Sequence, residues 1–167
     1  MIQDTIKNRR SIRSYTGQAV TDEQLHAVLE AGFYAPTARN LQPTHFIIIK
    51  DPQTLETIAQ EQPNARHGVG AGCGILVCGD RSLDVDGYLA ENASAAIQNM
   101  MLCAHELGLG TVWCGVYPRT ERTEGFRRIC QLPESILPVG FLVIGVPNEE
   151  KPVPDRFDPA RIHKERW

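Results

Sequence analysis

Apolar positions recur along this chain with two periods, and the switches between them mark its elements. Ile2 and Ile6 stand one turn apart, which predicts a short helix over residues 2 to 8. A better helix follows Thr21: Thr21 and Gln24 have capping-box spacing, Leu25, Val28, Leu29 and Gly32 share one face, and Pro36 stops it. His45 to Lys50 reads as a strand, Pro52 opens a helix through Leu55, Ile58 and Ala59, and Cys73 to Cys78 reads as a second strand. Residues 87 to 107 form the longest helical pattern. Its apolar residues, from Tyr88 to Ala104, occupy most of the circumference, so this helix needs burial on several sides, by core and partner alike. Gly108-Leu109-Gly110 ends it; Thr111 to Val116 is a strand, residues 120 to 131 a polar helix, and Val139 to Val146 a last strand.

After Pro147 the pattern gives way to charges and prolines running to Trp167, a tail expected to dock on a surface such as that of a second subunit. There is no internal repeat and no boundary, so residues 1–167 read as one domain. At 167 residues and 42% apolar content, the chain buries roughly two thirds of its unfolded surface in a single core. No apolar run reaches the roughly eighteen residues of a membrane span, and the first residues form a polar helix rather than a signal segment. A soluble, uncleaved protein is expected. The net charge of -3 argues against a nucleic-acid partner, which needs a basic face. Five cysteines without regular spacing read as reduced thiols in a cytoplasmic protein.

Two polar clusters carry candidate chemistry. Arg9-Arg10-Ser11-Ile12-Arg13 offers guanidinium forks and a hydroxyl suited to a phosphate; Ala35 to Pro43, with Asn40 and Gln42, offers amides suited to a heteroaromatic edge. If the chain is extended here, Arg9, Ser11 and Arg13 converge on one side. The site then lies at a helix C-terminus, where the dipole repels anions and arginines must supply the attraction. The competing reading is a solvated basic turn that favours the helix end; Asn40 and Gln42, likewise, are ordinary loop residues.

Other chemistries fail on spacing. The glycines at 68, 70, 72 and 74 do not form G-x-G-x-x-G and precede a strand instead of following one, so they read as a flexible loop rather than a dinucleotide cradle. Cys73, Cys78, Cys103, Cys114, His67 and His105 lack paired zinc-ligand spacing, and the cysteines on apolar segments read as small core hydrophobes. No G-x-S-x-G elbow is present. In Gly110 to Pro118, a glycine-flanked strand end lets backbone N–H groups approach a flat ligand, unless the strand is simply buried with Trp113 in the core.

In order along the chain, R-R-S-x-R at 9–13, A-P-[ST]-x-x-N-x-Q-P at 35–43, L-G-L-G-T-V-W at 107–113, I-G-V-P at 144–147 and D-R-F-D-P-x-R-I-H at 155–163 resemble the FMN-dependent nitroreductase family in its short form. The resemblance implies an α+β fold, with a mainly antiparallel central sheet flanked by helices, in an intertwined homodimer whose tail, residues 147–167, wraps the partner. It implies FMN as cofactor and NAD(P)H as reductant. By position, Arg9, Arg10 and Ser11 match phosphate and ribityl ligands, Arg13 the pyrimidine edge, and Arg156 a further phosphate contact. Pro36, Thr37, Asn40 and Gln42 match the loop approaching the ring, partly from the other subunit. Trp113, Cys114 and Gly115 match the strand end facing its reactive side.

The implied activity is ping-pong hydride transfer through flavin N5 to a nitroaromatic, quinone or similar small acceptor. A cation such as Arg13 beside the ring stabilises the reduced, anionic form, and no side-chain acid or base is required. The alternative is a flavin-binding or storage protein with little turnover. Two departures stand out: Thr44 replaces the aromatic residue many relatives carry after Q-P, and the short connection before the long helix leaves no room for the helices that roof the pocket in larger relatives.

Overall fold

The most apolar stretch of the sequence takes the middle of the sheet. In the computed structural model, which describes residues 1–84 and 86–167, β4 (Ile136–Gly145) lies between β2 (Gly74–Asp80) and β3 (Gly110–Gly115), and β1 (Thr44–Ile49) pairs with the other edge of β2. Every pairing is antiparallel, giving the order β1-β2-β4-β3. Helices α2 (Asp22–Phe33) and α5 (Leu89–Glu106) cover one face, packing on Ile75, Val77, Leu142 and Ile144. On the other face α3 (Pro52–Glu61), α4 (His67–Ala71) and α6 (Thr120–Ile129) close over Leu76, Phe141 and Val143. Because both faces of β2 and β4 are covered, neither strand alternates; edge strand β1 does in part. The α+β fold with an antiparallel sheet flanked by helices is therefore the observed one.

Local chemistry fixes the helix ends. Thr21 Oγ1 accepts the Gln24 amide at 3.2 Å while Gln24 Oε1 accepts the Thr21 amide at 3.0 Å, the capping box expected from the sequence. Asp51 caps α3 by accepting the Thr54 amide at 2.9 Å, with Pro52 in the first turn. Helix α5 touches α1 (Ile2–Asn8), α2 and all four strands, so the apolar residues around its circumference find core on several sides. No helix among the described residues is long and apolar enough to cross a membrane.

Two readings need correction. The glycine-rich segment is not a flexible loop: His67–Ala71 forms α4, with Gly68 and Ala71 buried and Gly72, at φ 70°, closing the helix in the left-handed region. Burial against α3 and the sheet overrides the poor helix propensity of glycine. Strand β4 begins at Ile136, before its expected start, because Pro138 sits opposite Cys78 where the register shifts, and a bulge tolerates a residue without an N–H. Cys73 and Cys78 pack in the core, where burial pushes their thiols up to about 11 and about 12.

Candidate active site

Helix α1 ends at Asn8, and the chain then runs extended along the free edge of β3. Ser11 bridges Thr111 in the parallel sense, and the Ile12 amide donates to the Thr111 carbonyl at 2.8 Å. This approach needs Gly110, since a Cβ there would stand 2.8 Å from Ile12 Cγ2. Ile12 thereby points into the protein, while Arg9 and Arg10 turn into a hollow of about 370 Å³ shared with Thr111, Glu149 and Lys151.

Two atoms in this region define its chemistry. Arg9 Nη1 and Arg10 Nε are buried without a hydrogen-bond acceptor, although Arg10 also donates through Nη2 to the Lys7 carbonyl at the end of α1. Buried guanidinium donors left open are unusual, because desolvating them is costly unless an acceptor arrives. Burial, then the charges of Arg10 and Arg156, hold the Arg9 guanidinium below its ordinary value. Mutually repelling cations with open donors fit a multivalent oxyanion such as a phosphate monoester. The expectation that Arg9, Ser11 and Arg13 converge fails here: Arg10 joins Arg9 in the hollow, Ser11 does not line it, and Arg13 lines a different one.

Arg13 lines a second hollow, of about 280 Å³, together with Asn64, Arg66, His67, Trp113 and Cys114. The end of β3 forms one wall. Cys114 is buried and donates through Sγ to the Asn64 carbonyl at 3.1 Å, and burial pushes its thiol up to about 11, so it is a neutral packing group and not a nucleophile. Gly115 is exposed, with nothing near the position of a Cβ, and its carbonyl accepts from Arg122 at 2.7 Å. Trp113 is 37% exposed and lies over Gly140, so the reading of it as a core residue is wrong. Asn64 and Arg66 were missed in the sequence, and His67 was weighed there only as a metal ligand; an asparagine, an arginine and a histidine within four positions after Pro63 were the available signal. Burial first, then Arg66 and Arg13, hold the His67 imidazole below its ordinary value.

The amide loop lies elsewhere. Arg39, Asn40 and Gln42 all adopt positive φ, and the loop is tied by Thr37 Oγ1 to the Gln42 amide at 3.0 Å and by Asn92 Oδ1 to the Ala38 amide at 3.0 Å. Pro36, Asn40 and Gln42 are exposed. Gln42 lines a hollow with Phe33, Thr44 and Phe46 that contains none of Arg9, Arg10 or Arg13. Arg156 is exposed on the tail and lines another hollow with Lys7, Arg10 and Phe157. Within one chain, then, the candidate residues fall into separate hollows.

This architecture, an antiparallel sheet with an arginine-bearing segment along one edge and a glycine-ended strand beside it, matches known proteins over nearly its full length. Residues 6–64 and 70–146 match the model of the nitroreductase family, and the chain belongs to that family. A protein of Methanothermobacter thermautotrophicus, provisionally named an NADH dehydrogenase/NAD(P)H nitroreductase, is 40% identical over 167 residues, covering 99% of this chain and 87% of its own. A solved structure from Parabacteroides distasonis with the same provisional name superposes with a TM-score of 0.96 at 34% identity, covering 99% and 98% of the two chains. A provisionally named nitroreductase from Desulfovibrio desulfuricans, solved in complex with FMN, gives 0.86 at 31% identity and 99% and 97% coverage.

Proposed function

We propose that the chain is an FMN-dependent NAD(P)H oxidoreductase of the nitroreductase type, acting as a cytoplasmic homodimer that reduces a nitroaromatic, quinone or similar acceptor. The observation that carries this reading is a pair of buried donors without an acceptor, Arg9 Nη1 and Arg10 Nε, on side chains that line a hollow at the edge of β3. Their chemistry fits the phosphate of FMN, and the FMN-bound relative supports the choice. Arg9 and Arg10, with Arg156, would hold the phosphate; Ser11 would meet the ribityl chain.

FMN, when bound, supplies a hydride acceptor and donor. The protein's contribution is position and charge. Arg13, which lines a hollow with Trp113, Cys114 and Gly115, would supply a cation beside the ring, where negative charge develops on reduction. With its thiol pushed up by burial, Cys114 stays neutral and is no anionic nucleophile. His67, held below its ordinary value, is mainly the neutral imidazole at neutral pH, not a protonated acid. The chain has no glycine-rich nucleotide cradle, so reductant and acceptor would visit one open face in turn.

A second subunit would account for two features of the single chain. The loop of Pro36, Thr37, Asn40 and Gln42 would complete the site across the interface, and Ile2, Ile6, Phe33, Tyr34 and Trp113 would lose their exposure. The test is a visible spectrum of protein purified without added flavin, followed by NADPH and then NADH without oxygen. Oxidised-flavin bands that bleach within the mixing time are expected. Bands that persist would leave the alternative of a flavin-binding or storage protein, and no bands even after FMN is supplied would sink the reading.

A further inference from the structure

Glu149 is a carboxylate on the wall of a hollow whose open donors call for an anion, which is the wrong charge for a ligand-binding role. Its contacts show a different use. Glu149 Oε1 accepts the main-chain amides of both Arg13 and Ser14, the latter at 3.2 Å. Lys151 Nζ lies 3.1 Å from the same oxygen and donates to the Ser11 carbonyl at 2.6 Å. From the opposite side the Ile12 amide is bonded to Thr111, and Tyr15 Oη donates to the Ile12 carbonyl at 2.6 Å.

We propose that Glu149 is a positioning residue: neutralised by Lys151, it fixes the main chain of Arg13 and Ser14 so that the arginines of residues 9 to 13 are aimed before any ligand arrives. The two amides approach a single charged acceptor, and charge-assisted bonds of this kind are roughly twice as strong as neutral ones. Bonds made by main-chain atoms leave Arg9 Nη1 and Arg10 Nε without a partner, although Arg10 Nη2 is held by the Lys7 carbonyl, and donors left over in this way are what a preorganised oxyanion site requires. The Arg13 amide first, then Lys151 and the Ser14 amide, hold the Glu149 carboxyl below the usual carboxylate range, so the clamp is closed at neutral pH. The charged or titratable groups facing it are Lys151, Arg13, His67 and Tyr15.

The consequence for affinity rests on the proposed FMN site, so the test reads the clamp both without and with flavin. Amide hydrogen exchange at Arg13 and Ser14 in the FMN-free protein, and FMN affinity from flavin fluorescence, are measured for Glu149→Ala and Glu149→Gln. In Glu149→Ala both amides exchange faster, and FMN binds about tenfold more weakly, as expected for losing two such bonds. Glu149→Gln keeps an oxygen for the amides, so it retains their protection and restores most of the affinity. A residue acting only by its charge gives the opposite: both variants bind FMN more tightly, because each removes an anion from an anion's hollow. That result, or unchanged exchange in Glu149→Ala, overturns the proposal. If Glu149→Ala does not fold, Glu149→Asp withdraws the oxygen by one methylene and must show the same faster exchange, failing which the proposal is equally overturned. Absence of FMN binding to the unaltered protein would refute the proposed function, while amide exchange would still decide the role of Glu149.

Discussion

The segment from Arg9 to Arg13 and the loop from Pro36 to Pro43 use their polar groups in opposite ways. The first has its main chain held by others, by Thr111, Tyr15, Glu149 and Lys151, and leaves two buried guanidinium donors open. The second commits its polar groups to structure, partly within the loop and partly on neighbouring elements: Thr37 Oγ1 accepts the main-chain amide of Gln42, Gln42 Nε2 donates to Asn40 Oδ1 at 3.3 Å, and Arg39 pairs with Asp86 at 2.8 Å. The difference separates a segment whose buried donors lack an acceptor from a loop whose side-chain amides are exposed and bonded to each other only once. On the proposed function, one chain would supply the phosphate contacts, whereas the amides of this loop, lying in a different hollow, would have to reach the same ligand from another copy or by rearrangement.

The largest expected effect tests the first half of this contrast. Replacing Arg9 by Met removes an open donor and keeps most of the stem. FMN affinity should fall by about 3 kcal/mol, roughly a hundredfold in Kd, as for truncating one side of a desolvated charge pair. In the absence of flavin the same change should leave stability unchanged or raise it, since it deletes an unpaired, partly buried cation crowded by Arg10 and Arg156. Flavin fluorescence and urea unfolding measure the two; a loss of stability in the flavin-free protein would show that Arg9 is structural.

The second half responds to Asn92, which is buried on α5 and accepts the Ala38 amide at 3.0 Å. Asn92→Leu leaves that amide without its acceptor and should cost about 1–3 kcal/mol in urea unfolding. Inorganic phosphate should compete for the Arg9 hollow as before, because the loop lies outside it. A parallel loss of phosphate affinity would break the separation of the two regions.

The contrast also explains what the sequence disclosed. Periodicity and caps report short-range physics, so α2, with Thr21 and Gln24, and the apolar runs of β2 and β4 were legible. The start of β4 was misread because Pro138 is tolerated only through a bulge made with β2, a partner distant in sequence. Helix α4 was missed because tertiary burial of Gly68 and Ala71 outweighs local propensity. At the site, the charge pattern of Arg9 to Arg13 was visible. That Arg10 turns inward with Arg9, while Arg13 joins Asn64, Arg66 and His67, is decided by the path along β3, which no spacing rule encodes.

The smallest effect is a titration, and it asks whether Arg13 projects where the second hollow requires. Burial, Arg66 and Arg13 all disfavour the charged imidazole of His67, a hydrogen bond with the Arg13 main chain favours it, and Glu149 is the opposing charge. Its folded pKa is therefore depressed below the ordinary value of about 6.5. A depressed value means that the unfolded chain binds the proton first as pH falls. The stability associated with His67 is thus fully present above about 6.5 and is lost as pH drops through the folded midpoint. Ring-proton NMR shifts should place that midpoint below the ordinary value. Arg13→Gln should raise it by removing one cation, Arg66→Gln should raise it further, and Glu149→Gln should lower it. A midpoint unmoved by Arg13→Gln would mean that the Arg13 guanidinium lies away from the hollow shared with Trp113 and Cys114, and the cation assigned to the flavin edge would have to be Arg66 instead.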